Sequence, residues 1–335
     1  MTRPSTARAR VQPLKMNRPV RASRASASGA RSFLSIADFT PDDLRRCLSL
    51  AAELKQAWAA GRRRGETPLA CRHVALLFDK PSLRTRVTFE VAIRELGGES
   101  MPIPADVALG GREPASDVAR NLERWVDAVV IRTFAQQVLE GIAAAAPRLR
   151  VVNALTDEEH PCQAVADLLT LQERLGTLSG RTIAYVGDGN NVATSLAQAA
   201  VMMGMHVHVA SPDGYALPER VQRQIETLAR DHGSLSLFTR PADAVKGADA
   251  VYTDVWTSMG QEDEARERTR AFAGYQVDER MMSLARPEAI FMHCLPAHRG
   301  EEVAAAVMDG PQSVVFDQAE NRLHGQKAIL TMLFT

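Results

Sequence analysis

From Phe33 onward, short apolar runs alternate with amphipathic stretches, and no other feature constrains the fold as tightly. "HVALLF" (73–78), "DAVVIRTF" (127–134), "RVVNAL" (150–155), "RTIAYVGD" (181–188), "HVHVASP" (206–212), "AVYTDVW" (250–256) and "AIFMHCLP" (289–296) read as strands. Helical patterns lie between them. "FTPDDLRRCLSLAAELKQAWA" (39–59) has a cap near Thr40 and Pro41 at its first position. "LRTRVTFEVAIREL" (83–96) is stopped by Gly97 and Gly98. "PASDVARNLERWV" (114–126), "PCQAVADLLTLQERLG" (161–176), "VATSLAQAAVMMG" (192–204) and "PERVQRQIETLARDHG" (218–233) follow the same spacing. "SVVFDQ" (313–318) reads as a last short strand before a closing helix, "QKAILTML" (326–333). Strands alternating with helices predict an α/β fold whose parallel sheets are covered on both faces. There are strands enough for two parallel-sheet α/β domains, with the helix after Pro161 as an interdomain bridge. The divisions expected are an N-terminal extension over 1–31, a first domain over 32–165, a second over 166–314 and a C-terminal segment over 315–335.

A chain of 335 residues is long enough for two such domains and for a core that needs no staple. Lys+Arg and Asp+Glu both number 40, so the basic excess of a nucleic-acid binder is missing. The four cysteines, Cys47, Cys71, Cys162 and Cys294, form no C-x-x-C pair, which argues against a zinc or redox motif and for a reducing compartment. No apolar run approaches a membrane span, so no membrane partner is expected. The first 31 residues are rich in Arg, Ser, Ala and Pro, with no acidic residue before Asp38. They read as a disordered tail or early start, with the cytoplasm as location. The alternative is a transit peptide and the mitochondrial matrix.

Ligands of open α/β sheets bind beyond the carboxyl ends of the strands, and the unusual clusters fall there. After "HVALLF", Ser82 can cap the next helix, whose first N–H groups and dipole favour an anion. Arg84 and Arg86 add planar forks suited to phosphate oxygens, and Thr85 adds a hydroxyl. The loop lacks the glycines of a Walker P-loop. Arg132 ends another strand. In "HPCQ", Pro161 starts a helix and holds His160 and Gln163, both able to donate to a carbonyl oxygen and an amide. "YVGDGNN" resembles a dinucleotide fingerprint only in Gly187 and Gly189. Val192 takes the third glycine's place and the next strand ends without an acid, so a nicotinamide oxidoreductase is disfavoured. Asn190 and Asn191 can bind a small polar ligand instead. In "DVWTSMG", Asp254 can hold an ammonium and Ser258 a carboxylate, which is what an α-amino acid requires. Cys294 of "HCLP" is either a nucleophile or an inert buried thiol.

"SLRTR", "HPCQ", "DVWTSMG", "HCLP" and "ENR" stand in this order over Phe33–Leu333, and together the chain resembles the aspartate/ornithine carbamoyltransferase family, in its ornithine branch. The resemblance implies a carbamoyl-phosphate domain first, an ornithine domain second and a C-terminal helix returning to the first. It implies carbamoyl transfer to the side-chain amine of ornithine, giving citrulline and phosphate in arginine metabolism, with no cofactor or metal. It also implies a homotrimer or an assembly of trimers. By resemblance, Ser82, Leu83 (through its backbone N–H), Arg84, Thr85, Arg132, His160, Gln163 and Arg322 bind carbamoyl phosphate. Asn191, Asp254, Ser258, Met259, Cys294 and Leu295 bind ornithine, and Arg132, His160 and Cys294 serve at the reacting centre. Two departures stand out: Leu83 replaces a frequent Thr, and Ala108 stands where several members carry a Gln that reaches a neighbouring subunit. Carbamoyltransferases for N-acetylornithine or putrescine are the nearest alternatives, but Asp254, Ser258 and Met259 together favour ornithine.

Overall fold

The computed structural model describes residues 31–62, 66–109, 111–258 and 260–335. The transit-peptide reading of the N-terminal extension falls almost wholly on residues 1–30, outside the described ones.

The first sheet holds β1 (His73–Phe78), β2 (Glu99–Pro104), β3 (Ala128–Arg132) and β4 (Arg150–Leu155), in the order β2-β1-β3-β4. The second holds β5 (Thr182–Val186), β6 (His206–Ala210), β7 (Ser234–Phe238), β8 (Ala250–Thr253) and β9 (Ile290–His293), in the order β7-β6-β5-β8-β9. Every ladder is parallel. The strands are apolar runs where helices cover both faces: interior β3 and β8, and also β9 at an edge, are buried throughout.

β2 and β7 do not appear in the sequence reading. "ESMPIP" carries two prolines and "SLSLF" is half-exposed, and both lie at sheet edges, where unpaired N–H groups and solvent are tolerated. "SVVFDQ" is corrected: Val315 already opens a helix that runs to Phe334. Its β-branched pair mimics a strand, yet Ser313 makes only an isolated bridge to Phe291. Gly325 in mid-helix lets that helix approach closely, since a β-carbon there would lie 3.2 Å from Val165 Cγ1.

Three helices meet this C-terminal helix: Pro41–Ala59, Leu83–Glu95 and Pro161–Leu175. The first begins with a reciprocal capping box between Thr40 and Asp43, with Pro41 where its missing N–H costs nothing. The Pro161–Leu175 helix also packs on the Asn191–Met202 helix, so it touches elements of both sheets. One apolar cluster therefore runs without a break from Leu76 and Phe89, through Val165 and Leu168, to Tyr185 and Tyr252.

Each sheet reverses its strand order once, between β1 and β3 in the first and between β5 and β8 in the second. Chains leaving those neighbouring strands diverge, and the crevice between them is where an α/β sheet binds ligands. The register sets Phe78 beside Arg132 and Val186 beside Thr253, so the segments that follow start side by side.

Gly189, after β5, is held against backbone: a β-carbon there would lie 2.4 Å from Leu217 N and 2.5 Å from Ala216 C. Gly189→Ala is expected to lower stability by about 2 kcal/mol or more, because backbone cannot yield as a side chain can. A denaturant midpoint equal to that of the unsubstituted chain contradicts this packing.

Candidate active site

The first helix after β1 starts at Leu83 with Ser82 as its cap, the Ser82 Oγ accepting from Thr85 N at 3.2 Å. A serine cap commits the Thr85 N–H but leaves the backbone N–H groups of Leu83 and Arg84 at the positive end of the helix. The Leu83 side chain is 77% exposed, so only its backbone can serve an anion. Arg86 is a correction. It turns outward to Glu90, Nε to Oε1 3.1 Å, and takes no part in the cluster. The chain places it one turn from Glu90, and the exposed i, i+4 pair captures it.

Arg132 closes β3 and Arg322 lies in the C-terminal helix, and both are buried. Arg322 Nη2 donates to Thr85 Oγ1 at 2.5 Å, which leaves the Thr85 hydroxyl proton available. Burial, then Arg322 and, more weakly, Arg84, push the Arg132 guanidinium down to about 10. The Nε groups of Arg132 and Arg322 are buried without partners among the described residues. Two buried cations with a third at hand are what a multiply charged anion would neutralise.

His160 precedes the interdomain helix. Its N–H donates to Ser195 Oγ at 2.9 Å, and Ser195 Oγ donates to the buried Glu159 at 3.0 Å. Burial, then Arg322 and Arg132, hold the imidazole well below its usual range, so it is neutral near pH 7. Its Nδ1 has no partner among the described residues. Gln163, two residues into the helix, donates its Nε2 to Asp167 Oδ1 at 2.8 Å, and its Oε1 is unpartnered. One Nε2–H of Gln163 is thus engaged by Asp167, and its Oε1 is an open acceptor beside the second N–H.

On the second sheet, Asp254 follows β8. Its Oδ2 accepts from Asn190 Nδ2 at 2.8 Å and its Oδ1 from Cys294 Sγ at 3.0 Å. Both are neutral donors, and among the described residues no cation pairs with this buried carboxylate. Asn190 is not a free ligand group. Its Oδ1 caps the Asn191–Met202 helix at Val192 N and Ala193 N, while its amide holds Asp254. Asn191 Nδ2 donates to Thr156 O, which ties the second sheet's loop to the end of β4. Ser258 is half-buried, its N–H donating to Gln261 Oε1 at 3.1 Å. Met259 lies outside the described residues.

Cys294 and Leu295 follow β9. Burial, then Asp254, raise the Cys294 thiol well above its usual range. A thiol donating to a carboxylate is the opposite of an activated nucleophile, so the nucleophilic reading of Cys294 is set aside. Leu295 N donates to His293 Nδ1 at 2.9 Å, and His293 Nε2 sits 3.1 Å from the buried Glu302. Cys294 also lies within electrostatic reach of Arg132 and Arg322, so the cation cluster and the Asp254 carboxylate face one site. Ala108 is buried in the apolar cluster with Ala75 and Leu77, so its methyl group serves that core.

Several supporting residues escaped the sequence reading. Lys80 is buried, 2.5 Å from Asp157 Oδ1 and 4.2 Å from the Phe134 ring centroid, so its charge is satisfied internally. Arg268 joins Asp188 Oδ2 at 2.7 Å to Trp256 O at 3.0 Å, bracing the Asp254–Ser258 loop against the Gly187–Asn190 turn. Asp167 and Gln318 form a buried pair behind Gln163. The signal for Arg268 is faint, an arginine in a charged helix; for Asp167 it is a polar residue in an apolar helical stripe, and Gln318 ends a segment that mimics a strand.

Comparisons with known proteins agree with this geometry. A family profile described as "Aspartate/ornithine carbamoyltransferase, carbamoyl-P binding domain" matches residues 31–173, and one described as "Aspartate/ornithine carbamoyltransferase, Asp/Orn binding domain" matches residues 179–333. The chain is 54% identical over 305 residues to the ornithine carbamoyltransferase of Symbiobacterium thermophilum, covering 90% of this chain and 97% of that protein. It is similar in structure to ornithine carbamoyltransferase from Pyrococcus furiosus, with a TM-score of 0.86 and 45% identity over 90% of this chain and 96% of that one. The enzyme from Thermus thermophilus matches with a TM-score of 0.81 and 43% identity over 91% of this chain and 99% of that one. The chain belongs to the aspartate/ornithine carbamoyltransferase family.

Proposed function

We propose that the chain transfers the carbamoyl group of carbamoyl phosphate to the side-chain amine of L-ornithine, giving L-citrulline and phosphate. The observation that carries this reading is the pairing of a buried cation cluster with a buried carboxylate whose hydrogen bonds, among the described residues, come from the neutral donors Asn190 and Cys294. Phosphate oxygens fit the Leu83 and Arg84 N–H groups, Arg84, Arg132 and Arg322. The ornithine α-ammonium fits Asp254, with Asn191 and Ser258 about its carboxylate and Cys294 and Leu295 toward its side chain. N-acetylornithine has no α-ammonium to pair with Asp254, and putrescine has no carboxylate.

Chemistry follows from charge. The amine attacks only with a free lone pair, so it must first lose its proton. The N–C bond forms, and the carbonyl oxygen becomes an oxyanion to which Thr85, Arg132 and neutral His160 can donate. Such preorganised donors supply the largest share of stabilisation in acyl transfer. The C–O bond to phosphate then breaks, its electron pair leaves with phosphate, and the amine's surplus proton can pass to it. Alignment of two small substrates removes much of the entropic barrier. Closure of the Asp254–Gly260 loop excludes water. In this scheme Cys294 orients and does not react.

We further place the reaction in arginine biosynthesis and the protein in the cytoplasm. The unpaired cysteines suit a reducing compartment. A fluorescent fusion to residues 1–31 separates this from mitochondrial import. We propose a homotrimer, on the exposed apolar pair Leu83 and Val87, one turn apart on a single helix. Light scattering tests it, a monomer mass refuting it.

Turnover with carbamoyl phosphate is expected for L-ornithine and not for N-acetylornithine, putrescine or aspartate; preference for another amine overturns the role of Asp254. Alkylation with iodoacetamide at pH 8 should label exposed Cys71 quickly and Cys294 slowly, because the Cys294 thiol resists ionisation. Labelling of Cys294 ahead of Cys71 contradicts the orienting role.

A further inference from the structure

Behind Gln163 runs a chain of buried side chains whose hydrogen bonds follow one direction. It begins at a backbone group that cannot reverse: His293 N–H donates to Gln318 Oε1 at 3.0 Å. The Gln318 amide must therefore turn its Nε2 the other way, where it donates to Asp167 Oδ1 at 2.7 Å and reaches the Tyr252 hydroxyl oxygen at 3.1 Å. That makes Asp167 Oδ1 an acceptor. Gln163 Nε2 donates to the same oxygen at 2.8 Å. The remaining end of Gln163, its Oε1, is buried and has no partner among the described residues. Asp167, Gln318, His293 and Tyr252 are each fully buried, so water does not scramble the order.

We propose that Asp167, backed by Gln318, is a positioning residue that locks the Gln163 amide with its oxygen toward the site, so that the site accepts a hydrogen bond from the –NH2 of the carbamoyl group. This rests on the carbamoyl-transfer reading given above and deepens it. An amide free to rotate presents either a donor or an acceptor, and a donor there would oppose the –NH2. Held as an acceptor, it prefers carbamoyl phosphate to acetyl phosphate, whose methyl group leaves Oε1 unsatisfied. The relay begins beside Cys294 on the second sheet and ends one turn from His160, so both substrate halves share one rigid element.

Asp167 is one step removed from substrate, and the test separates positioning from general damage. Asp167→Leu removes the acceptor at similar volume. Its KM for carbamoyl phosphate is expected to rise about tenfold, the loss of one buried hydrogen bond, while inhibition by inorganic phosphate stays within about twofold. Asp167→Asn keeps an acceptor oxygen and is expected to restore KM. Preference over acetyl phosphate, read as its inhibition constant relative to that KM, narrows in D167L and returns in D167N. In a Gln163→Ala background, Asp167→Leu adds no further rise. Should D167L fail to fold, Asp167→Ser, too short to reach Gln163, carries the same measurements. An unchanged KM, an equal loss of phosphate inhibition, or full additivity with Gln163→Ala overturns the proposal. Failure of the unsubstituted chain to make citrulline at all would count against the reaction and not against the relay.

Discussion

Everything in this molecule depends on burying like charges together. Arg132 and Arg322 lie under the surface within reach of each other's fields, with Arg84 near both and a neutral His160 beside them. Desolvating a guanidinium is costly, and an unpaired pair is worse, because each raises the cost of the other. The protein offers partial relief through Thr85, which accepts from Arg322. It also spends hydrophobic packing on holding the arginines where they are, since Arg322 rides on the helix that closes the common core. A dianion is the group that resolves the conflict, and burial, helped by the same field, keeps His160 uncharged and able to donate.

The fold serves this by bringing two switch points face to face. The crevice between β1 and β3 delivers Ser82–Thr85 and Arg132, and that between β5 and β8 delivers Asn190 and Asp254. The helix starting at Pro161 joins them, with His160 just before it, Gln163 in its first turn and Asp167 in its second. Because that helix is buried along most of its length, the site inherits the rigidity of the core instead of the mobility of loops.

Much of this was legible in the sequence, for definable reasons. The strand–helix rhythm follows from periodicity, and the residues at strand ends stand out because arginine, histidine and asparagine are unexpected after apolar runs. Harder to see were groups whose role exists only in three dimensions. Asp167 looks like one polar position in an amphipathic helix, and Gln318 lies 151 residues away in a segment that mimics a strand. Asn190 and Asn191 are neighbours in sequence, yet one caps a helix and holds Asp254 while the other reaches Thr156. Arg84 and Arg86 differ only in which side of a helix turn they occupy, and Glu90 decides the second. Edge strands escaped because solvent lets prolines and serines replace the alternation that marks a strand.

The central claim is that an anion completes the electrostatics of the buried arginines. The direct measurement is the shift in thermal midpoint on titrating inorganic phosphate into the unsubstituted chain and into Arg84→Ala, at constant ionic strength. A saturable rise in the first and little or none in the second is predicted, since ligand binding to the folded state stabilises it by mass action. No rise in the unsubstituted chain, or an equal rise in both, would contradict the account.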